Sequence, residues 1–339
     1  MKKYLIPRNG KFYKANMHAH TTVSDGRLSP EDMKRAFMEQ GYSIVAYTDH
    51  EVMLPHPDLT DESFLALTSY EVSVGQGVWT PFAKCYHLNV YSPEEKRSTS
   101  STFCERSVWG NAKEYITDEM REVSHDRAYT VEEVNKLIKR ANDEGCLVSY
   151  NHPAWSQQTR EDYIDLEGVW GVEWHNTGCV VAGYIENETA FAQMLNRGLC
   201  RPYPLATDDC HGTHDMFGGW ICVKAGALDY DSVFKALRRG DFYSSTGPAI
   251  KALYIEDGKL TVKCSAAARV SVVSDKRWTA SKRAEGKAVT EATFDLAKLI
   301  EISRTRPELN NHYFRVEVVD KYGKRALSRG YFLDELKLL

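Results

Sequence analysis

Several features are missing from this sequence of 339 residues, and each absence removes a class of protein. No apolar run approaches the ~18 residues of a membrane-spanning helix, and none near the N-terminus is long enough for a signal peptide. The eight cysteines lack paired C-x-x-C spacing, which argues against a zinc ribbon or a disulfide framework. Positive charge is not in excess, since the net charge is −4, which argues against a protein that binds a large nucleic-acid duplex. We therefore expect a cytoplasmic globular protein with reduced thiols.

The first two thirds of the chain alternate β-rich and helical segments. From residue 16 to about 247 this alternation predicts βα units with a largely parallel sheet. Helices are predicted from the caps at Ser29 and Thr130, and also near 184–197 and 230–239. Strands are predicted at 43–47 and 146–150, and near 65–70, 85–91, 169–174, 203–207 and 219–224.

After Gly247 the helical rhythm weakens, and alternating segments indicate strands. We therefore expect two domains, an α/β domain over 1–247 and a small all-β, sandwich-like domain over 248–339.

Between the strand at 85–91 and the next helix lies a long polar segment, 92–129. A connection of this length is a lid, a binding insertion, a mobile excursion or a solvated surface loop.

Histidine, aspartate or glutamate stands at or near the carboxyl end of six predicted strands. These residues are His18, His20, Asp25, His50, Glu71, His87, His152, Asp209 and His211. In a (β/α) barrel the carboxyl ends of the strands meet on one face, where active sites are built. Imidazole and carboxylate ligands suit Zn, Mn or Fe, and nine candidates exceed what one ion can bind. The pattern therefore predicts about two or three divalent metal ions.

The order of these residues resembles the PHP (polymerase and histidinol phosphatase) family. The similar motifs are HAHTTVSDG at 18–26, TDH at 48–50, NHP at 151–153 and DCH at 209–211. The resemblance covers most of 16–240 and implies a distorted seven-stranded (β/α)7 barrel with a trinuclear centre. Asp25 stands where histidinol-phosphatase-like members often have histidine, so the chain is closer to the Ser-Asp-Gly subgroup. The predicted β domain over 248–339 is similar to C-terminal domains appended to some PHP hydrolases.

The resemblance also implies how the ligands divide among three metals. The first metal would be held by His18, His20, Glu71 and Asp209. Glu71 would bridge to a second metal, bound by His87 and His152. The third would be bound by Asp25, His50 and His211.

Further polar residues near the same strand ends are candidates for supporting roles. Asp49, Asn151 and Asp208 are expected to orient ligands, because metal-bound histidines usually need a hydrogen-bonding partner. Either Glu173 or His175 could face the site, and His214 lies close to His211 in sequence. The candidates for phosphate binding are Arg27, Arg160 and Arg201. The tryptophans Trp79, Trp109 and Trp155 are expected to be packing residues more than walls of a pocket.

The leading functional hypothesis is a metal-dependent phosphoesterase acting on a small phosphate mono- or diester. A hydroxide held between two metals would attack phosphorus, because bound water ionises near neutral pH. Glu71 would fix the distance between the metals, and Asp209 and His211 are candidates for moving a proton. The alternatives are a carboxyl-ester or carbamate hydrolase on the same site, a non-catalytic metal-binding PHP module, and a nuclease. The oligomeric state is left open.

Overall fold

The computed structural model describes residues 2–77, 83–308 and 311–338. The strands are β1 (Lys3–Tyr4), β2 (Lys11–Asn16), β3 (Ile44–Tyr47), β4 (Leu65–Gly75), β5 (Cys85–Tyr91), β6 (Leu147–Tyr150), β7 (Gly171–Asn176), β8 (Tyr203–Thr207), β9 (Trp220–Ala225), β10 (Phe242–Ser245), β11 (Ile250–Glu256), β12 (Lys259–Ala267), β13 (Arg269–Ser274), β14 (Thr279–Arg283), β15 (Val289–Asp295), β16 (Tyr313–Val319), β17 (Arg325–Leu327) and β18 (Tyr331–Phe332). The helices are α1 (Pro30–Glu39), α2 (Asp118–Glu122), α3 (Val131–Asp143), α4 (Arg160–Tyr163), α5 (Thr177–Val181), α6 (Glu188–Arg197), α7 (Tyr230–Arg239) and α8 (Ala297–Thr305). Within these residues, no helix has the length and apolar character needed to cross a bilayer.

The predicted helix starts are confirmed by their caps. The Ser29 hydroxyl accepts a hydrogen bond from the backbone N–H of Asp32 at the start of α1. Thr130 does the same for Glu133 at the start of α3. Both helices bury apolar residues that recur at helical spacing and so share one face of the helix.

The larger sheet is mixed, whereas a largely parallel sheet was the prediction. Its strand order is β14-β13-β16-β17-β10-β9-β2-β3-β4-β5-β6-β7-β8, with β18 paired to β16. The pairs β2–β3, β3–β4, β6–β7 and β7–β8 are parallel. However, β5 runs antiparallel to both β4 and β6, and β9 runs antiparallel to β2. The amino end of β5 therefore lies beside the carboxyl half of β4.

The segments that follow β2 and β8 lie side by side. Ala19 and Cys210 form an isolated parallel bridge. The backbone N–H of His20 donates to the carbonyl of Cys210 at 3.0 Å, and that of Asp209 donates to the carbonyl of His18 at 2.9 Å. These bonds bring together the ends of the first and last strands of the series β2 to β8.

The C-terminal third is mainly β but includes a helix. The strands β1, β11, β12 and β15 form a four-stranded sheet, while β13, β14, β16, β17 and β18 extend the larger sheet. The helix α8 lies between β15 and β16, so the all-β prediction is wrong at this point. N-terminal residues join this part of the molecule, since Leu5 and Ile6 are buried in its core. The division into 1–247 and 248–339 stays a prediction.

The segment 92–129 is a packed insertion rather than a solvated loop. It contains α2 and two 3₁₀ turns, Glu105–Ser107 and Gly110–Tyr115. Phe103, Val108 and Met120 are buried in a small cluster with Val23 and Val52. Because Val23 lies between two predicted ligands and Val52 follows a third, the insertion packs against ligand-bearing segments.

Candidate metal centre

The structure brings all nine predicted ligands together. They fall into groups whose ligand atoms lie within 4.8 Å of one another. The groups are His18, His20, Glu71 and Asp209; Glu71, His87 and His152; His20, Asp25, His50 and His211; and His18, His152 and Glu173. The first three contain the sets that the family resemblance implies, with His20 also joining the third. The fourth adds a carboxylate that was not among the predicted ligands.

Glu71 is the common neighbour of the cluster. Imidazole nitrogens of five histidines lie within 3.2 to 3.4 Å of its two oxygens, those of His18, His20, His50, His87 and His152. Asn151 donates its side-chain N–H to Oε1 of Glu71 at 2.9 Å. Because its two oxygens contact different histidines, this carboxylate is placed to serve more than one cation.

Strand pairing explains how these residues meet. His50 and Glu71 form an isolated parallel bridge where the chain leaves β3. His87 lies near the start of β5, directly opposite Ser73 in the antiparallel β4–β5 pair. The Ser73 hydroxyl lies 3.3 Å from Nε2 of His87. The reversed direction of β5 thus brings a residue from its amino end to the edge where the other strands end.

Asp209 and His152 stand on left-handed backbone, with φ of 53° and 25°. Oδ1 of Asp209 lies 3.1 Å from Nε2 of His20 and 3.2 Å from Nε2 of His18. Its other oxygen accepts a hydrogen bond from Asn176 at 3.1 Å. Strained backbone of this kind concentrates at functional sites, where the surrounding contacts hold it in place.

The outer side of the cluster is more accessible. Nε2 of His211 lies 3.4 Å from Oδ2 of Asp25, and both side chains are partly exposed. The ring of His20 stacks between those of His50 and His211, with centroid distances of 4.3 Å to each. The group formed by Asp25, His50 and His211 therefore lies on the side of the cluster open to solvent.

The electrostatics of the cluster set the charges of its side chains. Burial alone would raise the pKa of Glu71, but imidazoles, first that of His87, hold this pKa well below its usual range. Burial alone would lower the pKa of His18, but carboxylates, first that of Asp209, raise it well above its usual value. Burial and neighbouring imidazoles lower the pKa of His20 to about 3. Glu71 is thus ionised and His20 is neutral, as metal binding requires, whereas His18 holds a proton that a cation would displace.

The residues present fit bound cations. Within the described residues, Nδ1 of His20, Nδ1 of His50 and Oε2 of Glu71 are buried with no hydrogen-bond partner. Leaving such polar atoms unsatisfied costs about 1–3 kcal/mol each, and a cation in contact with them would remove this cost. Mixed nitrogen and oxygen donors suit Zn, Mn and Fe.

The residues expected in supporting roles make different contacts. Asp49 accepts hydrogen bonds from Thr21 and Ser24. These bonds fix the loop between His20 and Asp25, and none of them comes from a histidine ring. Because this loop carries two predicted ligands, the orienting role of Asp49 stays a prediction, with the loop as its point of contact.

Asp208 also binds a loop. It accepts hydrogen bonds from Thr177 and from the backbone N–H groups of residues 217–219. Burial raises the pKa of Asp208 to about 6, although these donors lower it.

Two of the histidines expected in supporting roles, His175 and His214, lie outside the ligand groups. Nδ1 of His175 lies 2.8 Å from Glu186, and the exposed His214 lies 3.7 Å from Asp215.

Among the candidate arginines, Arg201 pairs with residues of the C-terminal region, Asp334 and Glu335. Arg160 is the first residue of α4. The backbone N–H of Arg27 donates to the carbonyl of His211, so Arg27 lies next to the centre.

Glu173 is the important residue that sequence reasoning left undecided. Its Oε1 lies 2.7 Å from Nδ1 of His18, and it also accepts hydrogen bonds from Thr207, Asn176 and the backbone of His152. Simple alternation along a strand would place Glu173 and His175 on one face. A register shift between these two residues in the β7–β8 pair separates them.

The tryptophans also differ from expectation. Trp109 and Trp155 were expected to pack, but their rings lie 5.4 Å from those of His50 and His87 respectively, and both are exposed. Trp79 lies outside the described residues.

Comparisons with known proteins give distant likenesses. No family model matches the sequence, and no curated protein matches it. The chain is similar to a two-domain protein from Bacteroides vulgatus that contains a predicted PHP-like metal-dependent phosphoesterase, with 13% identity, a TM-score of 0.47, and coverage of 86% of this chain and 88% of that one. A putative metal-dependent phosphoesterase from Bifidobacterium adolescentis shares 15% identity, with a TM-score of 0.38 and coverage of 69% and 98%. An amidohydrolase from Chromobacterium violaceum shares 14%, with a TM-score of 0.38 and coverage of 58% and 87%.

Two of these likenesses are thus to PHP-like or putative metal-dependent phosphoesterases. At these TM-scores the likeness transfers no activity to this chain.

Proposed function

We propose that this protein is a metal-dependent hydrolase that cleaves small phosphate mono- or diesters. The observation that carries the proposal is the cluster of nine side chains that includes Glu71 at its centre, with ligand atoms in groups no wider than 4.8 Å. In this proposal two or three divalent ions, Zn, Mn or Fe, are held by the three sets that share Glu71 and His20. The substrate partner is a small phosphorylated molecule.

The proposed frame for this centre is a distorted seven-stranded barrel made of β2 to β8. The paired series runs through these strands without interruption, and the bridge between Ala19 and Cys210 links the segments beyond its two ends. A closed frame of this kind supports the proposal because strand ends around a barrel aim their side chains at one common point.

The chemistry of the reaction divides between the cations and the chain. Bound divalent ions lower the pKa of a coordinated water and neutralise charge on phosphoryl oxygens. Glu71 fixes the spacing of the ligand sets, and Glu173 holds the ring of His18 through its Nδ1. Of the groups proposed to move a proton, Asp209 is nearly enclosed, whereas His211 is partly exposed. Where the third set holds no cation, His211 is therefore the better placed of the two to reach the leaving oxygen of a substrate.

The completeness of the ligand set favours an enzyme over a non-catalytic module. A module that has lost catalysis is expected to have gaps in the set, and within the described residues every predicted ligand is in place. No basic groove is required for a small substrate, which agrees with the net charge of −4.

The proposal is tested by metal analysis together with a substrate screen. The purified full chain is expected to contain about two or three transition-metal ions and to hydrolyse p-nitrophenyl phosphate. Replacing His50 or His152 by Ala should lower both quantities, whereas the matched change His125→Ala, at an exposed histidine, should leave them unchanged. A metal-loaded protein that is silent on all phosphoesters but cleaves carboxyl esters or carbamates would contradict the proposal.

A further inference from the structure

Two exposed tryptophans lie against the ligand histidines. The ring of Trp109 lies 5.4 Å from that of His50, tilted by 43°. The ring of Trp155 lies 5.4 Å from that of His87 and 5.2 Å from that of His152. Trp109 is 46% exposed and Trp155 is 38% exposed, although indoles are among the side chains that gain most from burial.

Both indoles are held in place by the chain around them. Trp109 is flanked by Val108 and Ala112, which are buried in the cluster of the 92–129 insertion. Asn111 donates to the carbonyl of Thr22 at 3.2 Å and ties this segment to the loop that carries Asp25. Trp109 is therefore fixed beside the metal centre rather than left on a free loop.

Trp155 is fixed by the segment that follows its neighbouring ligand. The backbone N–H of Ala154 donates to Asn187 at 2.9 Å. On the other side, the backbone N–H of Ser156 donates to the carbonyl of His152 at 3.1 Å, and its hydroxyl lies 3.3 Å from Nδ1 of His152. The indole thus projects from a turn whose two ends are both hydrogen-bonded.

The two tryptophans flank the same centre. The rings of His50 and His87 are themselves 5.6 Å apart, and both histidines contact Glu71. An ester bound at these ligands would place its phosphoryl group at the cations and its organic group beside one or both indoles. Rigid exposed indoles bind planar and apolar groups by stacking and by burial of area.

We propose that Trp109 and Trp155 set substrate specificity by binding an aromatic or other planar apolar group next to the phosphoryl group. This inference rests on the proposed phosphoesterase function. It names the substrate class as phosphate esters that carry a planar apolar group, in preference to small aliphatic phosphates. The indoles contact the organic part of the substrate and take no part in the transfer of the phosphoryl group.

The test compares two substrates with similar alkoxide leaving groups, 2-phenylethyl phosphate and ethyl phosphate, on the metal-loaded full chain. For Trp109→Ala and Trp155→Ala, KM for 2-phenylethyl phosphate is expected to rise roughly tenfold at an unchanged kcat, while KM for ethyl phosphate stays within about twofold. Trp109→Phe and Trp155→Phe should restore most of the loss. Tyr322→Ala, at a tyrosine 76% exposed in a C-terminal turn, is the matched control and should behave as the unaltered chain.

Two further measurements separate the possible failures. If kcat for both substrates and the metal content fall together, the indoles only shield the ligand histidines, and the inference is wrong. If the chain hydrolyses no phosphoester, p-nitrophenyl phosphate included, the proposed function fails, and calorimetric binding of the inert 2-phenylethyl phosphonate then decides the inference. Tighter binding than ethyl phosphonate, lost in the alanine variants, supports it; equal binding of both phosphonates overturns it.

Discussion

Glu173 is a buried carboxylate that acts through a neighbouring histidine. Its contact with Nδ1 of His18 leaves Nε2 of that ring facing Glu71 and Asp209. Partners of this kind fix the tautomer and the orientation of a metal-bound imidazole. Glu173 is therefore a positioning residue for the centre.

Replacing Glu173 by Gln is expected to lower metal affinity about 10- to 100-fold, because the amide keeps the shape but loses the charge that orients His18. Competition with a chelator measures this affinity, and circular dichroism checks that the fold is kept. The matched control is Glu62→Gln at an exposed position, which should bind metal as before. An E173Q variant with unchanged metal affinity would show that Glu173 serves only packing.

The ligands themselves could be predicted from the sequence because they carry donor chemistry and most of them follow a strand, although Glu71 and His87 lie within β4 and β5. Glu173 could not be separated from His175, since the register shift between them is not encoded in simple alternation. Asp49 was expected to orient a ligand, and its contacts are with Thr21 and Ser24 of the loop between His20 and Asp25. The hydrogen-bond donors that surround a carboxylate in the fold thus decide its role, which the spacing of residues along the sequence leaves open.

The insertion 92–129 is fastened to the centre by a buried ion pair. Arg127 donates to Glu51 at 2.6 Å, and their side chains are 5% and 0% exposed. Arg127 also donates to the carbonyl groups of Ser73 and Thr102, and Glu51 accepts from the N–H of Ser73. Because Glu51 follows His50 directly, this pair joins the insertion to two ligand-bearing elements.

Replacing Arg127 by Met is expected to lower the free energy of unfolding by about 3–5 kcal/mol, because Glu51 would remain buried without its partner. The double variant Glu51→Gln with Arg127→Met should lose less, since the stranded charge is then removed. Urea denaturation measures both changes.

A matched control is the ion pair of Arg106 and Asp126, which is 2.7 Å long but largely exposed. Breaking it should change the free energy of unfolding by only about 0–1 kcal/mol. Equal losses at the two pairs would contradict a fastening role for Arg127.

Elements with strong local signals could be predicted, and others could not. The helices α1 and α3 have capping hydroxyls and a clear apolar face. By contrast, α8 begins after Leu296 with no side-chain cap, so its start carries no local signal. The direction of β5 depends on its partners β4 and β6, which are set by tertiary pairing rather than by its own residues.

At the scale of the whole molecule, the N-terminal and C-terminal regions share a core. Leu5, Ile6 and Tyr243 lie in the same buried cluster as the C-terminal strands. In addition, β1 pairs with β11, and β10 pairs with β17. The C-terminal strands therefore depend on residues on the other side of the predicted boundary at 247.

A fragment of residues 248–339 expressed alone is expected not to fold, because it lacks these core residues and two strand partners. Circular dichroism and amide NMR dispersion check this against the full chain. In the full chain, Ile6→Ala should cost about 2–5 kcal/mol of unfolding free energy. A fragment that unfolds cooperatively would instead establish 248–339 as an autonomous domain.

Removing metal is expected to lower the melting temperature of the full chain. The cluster leaves buried polar atoms on His20, His50 and Glu71 unsatisfied, and a ligand that binds only the folded state stabilises it. At a free ion concentration 100 times Kd, the gain is about 3 kcal/mol. Scanning fluorimetry with chelator and with added Zn or Mn measures the shift, and Glu71→Gln should reduce it. Identical melting in all conditions would count against a metal centre.

Two of the ligand side chains stand on backbone that most residues avoid. His152 and Asp209 have positive φ, and Asn, Asp and His are the non-glycine residues enriched there. At these positions one side chain satisfies both the cation and the turn. A mutation to a β-branched residue would remove a ligand and strain the main chain by roughly 1–3 kcal/mol at once. Loss of either ligand by such a substitution is therefore expected to lower metal affinity and stability together, in one step.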